Sequence, residues 1–160
     1  SKGGSIMLRH TTAALLTLAL VVATAEAAWA HCQVPCGIYH DHERVKMMRE
    51  DIETITKAAG QIRALSAKRD SQSQNQLVRW VMTKEQHAER VMRTISDYFM
   101  AQKIKPVVSS DRKGLARYQQ MLVRHHQVMV AAMQCKQSAS PEAALALGRA
   151  VDGIAGYWKH

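Results

Sequence analysis

Val45, Met48, Ile52, Ile55, Ala59, Ile62 and Leu65 step along the chain by three and four residues. On a helix those positions share one face, whereas a strand would alternate by two. The segment after Asp41, read as the N-cap, is therefore an amphipathic helix that must bury its stripe against other elements. The pattern returns three times. Leu77, Val81, Ala88, Val91, Ile95 and Phe99 line a second helix from about Leu77 to Gln102, which stops before Pro106 because proline lacks a donor and disfavours helix in the residue before it. Ser109, Ser110 and Asp111 offer caps for a third, carrying Leu115, Tyr118, Leu122, Val128, Ala132 and Cys135. Ser140-Pro141-Glu142 is an N-cap followed by proline at the first helical position, and it opens a fourth with Ala144, Leu147, Val151, Ile154 and Trp158. Lys68 to Gln76 has no apolar residue and reads as a connection. Four helices, short connections, no strand signal and no internal repeat predict an all-α antiparallel four-helix bundle. Such a frame hosts many chemistries, so function must come from a site.

Upstream of the helices the chain has another character. Met7-Leu8-Arg9-His10 is a short basic start, Thr11 to Thr24 is apolar without a charge, and Ala28-Trp29-Ala30 is an A-x-A cleavage box. The apolar run falls short of the ~20 residues that span a bilayer. These features predict a leader over residues 1–30, cut by signal peptidase between Ala30 and His31, with Met7 as the start and Lys2-Gly3-Gly4 a translated ribosome-binding site. The mature domain, residues 31–160, is long enough for one core of its own. It is expected to be exported, to the periplasm, with no membrane attachment after cleavage.

The net charge is +9, with 22 basic and 13 acidic residues intermixed, and the chain has one Phe and four Tyr. A nucleic-acid groove needs a clustered basic stripe with stacking rings, so no nucleic acid is expected; a small anion suits this surface better. Nine Met and eight His invite a metal-storage reading, but most of the Met fall at helical apolar positions, where Met is ordinary core filler. His125 and His126 point about 100° apart on a helix. His40 and His42 flank Asp41 near the hook, where contact with a metal and a plain polar turn explain them equally well, and His87 reads as a residue behind a site or at the surface.

The chemistry concentrates at the predicted cut, in His31-Cys32-Gln33-Val34-Pro35-Cys36-Gly37-Ile38-Tyr39. After cleavage, the His31 amine, the deprotonated Cys32 amide and the Cys32 thiolate can chelate one ion in adjoining small rings. Cys36 adds a second thiolate, because Pro35 and Gly37 double the chain back. Two nitrogens and two sulfurs in a plane suit Ni(II) or Cu(II) rather than tetrahedral zinc. The His31 ring is placed to be a fifth, axial ligand, and the thiolates and anionic amide favour one-electron chemistry. Two other readings stay open on the residues alone: an exported copper or nickel carrier using the same hook without turnover, and a Cys32–Cys36 disulfide loop. Cys135, on an apolar helix face, is expected to be a buried thiol, and three cysteines leave at least one outside any internal pair.

The hook resembles the N-terminal motif of the nickel-containing superoxide dismutases, with weaker agreement at Lys84-Glu85-Gln86 and Asp97-Tyr98-Phe99. The resemblance implies a four-helix bundle assembled as a homohexamer, with one nickel per hook held by His31, Cys32 and Cys36. It implies that Tyr39 guards the open face, with Tyr98 a second tyrosine nearby, and that superoxide is disproportionated to oxygen and hydrogen peroxide by Ni(III)/Ni(II) cycling. The chain departs from the family at Gln33, where an acidic residue is usual. It departs again where a Glu and an Arg back the axial imidazole: Lys46 or Met47 stands for the first and His87 for the second. Its leader also looks like an export signal rather than a short cytoplasmic propeptide.

Overall fold

The computed structural model describes residues 40–108 and 110–159; the predicted leader, the hook at residues 31–39 and Ser109 lie outside them. Within the described residues the chain forms α1 (Asp41–Leu65), α2 (Ser71–Arg93), a π-helical segment (Thr94–Lys103), α3 (Arg112–Gln137) and α4 (Pro141–Ala155), with no strand. Each helix packs on its sequence neighbour, and α4 returns to α1. Arg49, early in α1, bonds Asp152, late in α4, at 2.9 Å. Tyr98, beyond the end of α2, reaches Asp41 at the start of α1. Neighbours in the ring therefore run antiparallel, and the expected four-helix bundle is what forms.

The four apolar stripes meet along the axis. Val45, Met48 and Ile55 from α1, Ala88 and Val91 from α2, Val128, Ala132 and Cys135 from α3, and Leu147, Val151 and Ile154 from α4 are all at most 1% exposed. Burial of this kind, at about 25 cal/mol per Å² of apolar surface, is what holds the bundle together. The stripe thins at the α1–α2 turn, where Leu65 and Leu77 are half-buried and Val81 is exposed. None of the helices described is long and apolar enough to cross a membrane.

Three sequence expectations need correction. Asp41 is the first residue of α1 and not its cap; His40 holds the N-cap position without a side-chain bond. The polar stretch expected as a linker begins α2 at Ser71, because the Asp70 carboxylate accepts the Ser73 N–H at 2.9 Å. Capping satisfied an orphan donor there, and that outweighed the lack of apolar residues. Finally, the second helix does not run uniformly to Gln102 but widens into the π segment after Arg93. Ile95, Phe99 and Ile104 are all buried, at spacings of four and then five. At 100° per residue, an α-helix would put Ile104 about 180° from Ile95, whereas the wider turn keeps all three on the core. Asp111 and Ser140 cap α3 and α4 as expected, accepting from Gly114 N at 2.9 Å and Ala143 N at 3.2 Å.

Candidate functional site

The end of the π segment and the beginning of α1 meet around one phenol. Tyr98 is 6% exposed, and its hydroxyl donates to Asp41 Oδ1 at 2.5 Å. Lys103 Nζ lies 2.9 Å from the same oxygen. The Arg44 guanidinium sits 5.0 Å from the ring centroid and the Lys103 ammonium 5.8 Å, so two cations rest on the electron-rich ring. Its edge packs on Phe99, with centroids 5.1 Å apart and planes at 81°, which ties the phenol to the core. The Asp41 carboxylate is favoured in the first turn of α1 by the helix dipole.

Beside Tyr98 opens a cleft of about 460 Å³, lined among others by Arg44, Met47, Asp51, His87 and Arg90. Asp51 is nearly buried, and its Oδ1 accepts from Arg90 Nε at 3.0 Å and Nη2 at 2.6 Å. His87 Nδ1 lies 2.8 Å from the same oxygen. A buried carboxylate is tolerable only when paired, and here one oxygen gathers a guanidinium and an imidazole. Arg90 Nη2 also lies 2.6 Å from His87 Nδ1, so the three side chains form one cluster. Of the two positions standing for the family's Glu, Met47 lines the cleft at 52% exposure. Lys46 is on the surface, 3.8 Å from Glu43.

Of the predicted site residues, Tyr98 is placed as described; His31, Cys32, Cys36 and Tyr39, with Gln33, lie outside the described residues. Among the described residues no group of three or more His, Cys, Asp or Glu side chains is placed to hold a metal. Cys135 is a free, buried thiol whose pKa burial pushes up to about 11, against a smaller lowering by Lys84; a thiol so reluctant to ionise is a poor ligand. His125 is fully buried, its ring bonded to Met121 O and Trp158. Met48 is in the core and Met92, Met100, Met121 and Met129 pack against it, while Met47, Met82 and Met133 are exposed.

Sequence reasoning missed Asp41, Arg44 and Lys103 as partners of Tyr98, and Asp51 and Arg90 as partners of His87. Arg90 at three residues after His87 was a readable signal, since those positions are neighbours on a helix. Asp41 and Asp51 lie 57 and 36 residues from their partners, and nothing local announces such pairs. The model of the nickel-containing superoxide dismutase family matches residues 26–160 of the chain, a span that takes in the Cys32–Cys36 hook and all four helices. No curated protein and no solved structure matches it.

Proposed function

The chain belongs to the nickel-containing superoxide dismutases, an oxidoreductase family that disproportionates superoxide at nickel, and we propose that the centre lies in its 31–39 hook. In this reading the ligands are the His31 amine and imidazole, the Cys32 amide and thiolate and the Cys36 thiolate. The donor set fits: two thiolates and nitrogen donors within six residues suit nickel, and the third cysteine is sealed in the core. When bound, the ion supplies the one-electron exchange, alternating between Ni(III) and Ni(II).

The observation that carries the proposal is the position of Tyr98. Its hydroxyl is anchored to the first residue of α1, two positions along the chain from the hook's last residue, Tyr39. Lys103 and Arg44 bring positive charge to the same spot, which draws in an anion. Tyr98 thus orients substrate and water beside the hook, its proton held toward Asp41, with Tyr39 as its counterpart on the hook. Neither tyrosine is a ligand. His87, fixed by Asp51, stands behind this region.

The leader makes the enzyme an exported, periplasmic one, released by signal peptidase before His31, and exposed apolar side chains on α2 (Val78, Val81, Met82) and α3 (Val123, Val130, Met133) support assembly as a homohexamer. The test is the terminus. Protein beginning at His31 is expected to take up nickel and consume superoxide. Protein with one extra Ala before His31 moves the amine out of its small chelate ring and should lose at least ~10-fold in metal affinity, the effect seen for changes even beyond the ligands. Equal metal content and activity from both termini would refute the amine as a ligand.

A further inference from the structure

The π segment is an unusual device. π-helices occur mostly as single turns, frequently at functional sites, whereas this one runs for ten residues with Tyr98 at its middle. Wide turns are held by bonds from residue i+5 to residue i, as Ile104 N to Phe99 O at 2.9 Å illustrates. One side chain reinforces the ladder. Gln102 is 6% exposed, and its Nε2 donates to the Asp97 carbonyl at 2.7 Å, the same carbonyl that the Gln102 main-chain N–H addresses in a π-helix. Turning the amide over would set two oxygens against each other, so its orientation is determined. The other end, Oε1, is buried with no hydrogen-bond partner among the described residues. A buried acceptor left unmatched is disfavoured, and what the side chain gains is the clamp on Asp97, the residue before Tyr98.

We propose that Gln102 is a positioning residue for the reaction: it latches the wide turn and so aims the Tyr98 phenol at Asp41. Without the latch the segment relaxes toward an α-helix, in which each turn takes one residue fewer. Tyr98, five residues beyond Arg93, then rotates by roughly one residue's 100°, away from Asp41. The catalytic part of this inference rests on the reading of Tyr98 given above; the geometric part does not.

The experiment compares wild type with Gln102→Met, which keeps the size and removes the donor, in protein labelled with ¹³Cζ-tyrosine. The Tyr98 resonance is identified by its loss in Tyr98→Phe. In the wild type, Asp41→Asn should shift that resonance, whereas in the Gln102→Met background it should leave it unmoved, with helicity and nickel content retained. Turnover of Gln102→Met should fall to within about twofold of Tyr98→Phe, each at least ~10-fold below wild type, since a 1 Å misplacement can cost 10²-fold. The double variant should be no slower than Tyr98→Phe alone. A Gln102→Met protein whose Tyr98 resonance still responds to Asp41→Asn overturns the proposal. So does failure of both Gln102→Met and Gln102→Glu to fold, which would make the residue a folding requirement instead. Wild-type turnover in Tyr98→Phe would refute the role of the tyrosine, while the resonance still decides whether Gln102 aims it.

Discussion

Acidification should weaken this bundle through His125. Its ring is fully buried, with Nδ1 donating to Met121 O at 2.7 Å and Nε2 accepting the Trp158 indole N–H at 3.0 Å. That arrangement requires the neutral ring, because a proton on Nε2 would face another donor. Burial lowers the His125 pKa below its ordinary 6.5, with the Met121 bond a smaller effect in the opposite direction. The unfolded chain therefore binds the proton first. Stability is fully present above the unfolded value and is lost as pH falls from about 6.5 toward the folded pKa. If the ring stays neutral in the folded state, moving from pH 7.0 to 5.5 removes about 1.2 kcal/mol, several degrees in Tm for a domain of this size. Urea unfolding at the two pH values measures it. His125→Gln is the control, since its amide can accept from Trp158 and donate to Met121 without titrating. The wild type should lose about 1 kcal/mol more than His125→Gln over this interval. Parallel losses in the two proteins would refute the linkage.

Further substitutions test the hook's thiols and the end of α3. Cys36→Ser should abolish nickel binding and dismutation with unchanged helicity by circular dichroism, whereas Cys135→Ser should keep both activities, its thiol being sealed in the core; an active Cys36→Ser protein would contradict the ligand assignment. Lys84 is 4% exposed and donates to the Cys135 and Lys136 carbonyls at the end of α3, at 2.5 and 2.6 Å. Lys84→Met, which leaves those carbonyls without their donor, should lower stability by about 1–3 kcal/mol in urea unfolding and leave nickel content unchanged.

The fold was legible because its determinants are local. The three-and-four spacing of Val45, Met48, Ile52 and Ile55 needs only neighbouring residues to make a stripe, and Asp111 and Ser140-Pro141 satisfy helix ends within three residues. The hook motif is readable for the same reason: the amine, amide and thiolate proposed as donors would share one His31-Cys32 dipeptide through covalent bonds. What tertiary structure alone decided are relations across the bundle. Asp41 reads from sequence as a cap, yet its carboxylate is engaged by Tyr98 and Lys103. Ile95, Phe99 and Ile104 reach the core together where the helix widens, which the three-and-four spacing of the segment does not announce. From sequence His125 is known only to point about 100° from His126, yet it lies in the core against Trp158, beyond the end of α4. Periodicity says which face a residue takes, but the side chain opposite it depends on how four stripes interdigitate, and that is a property of the packed whole.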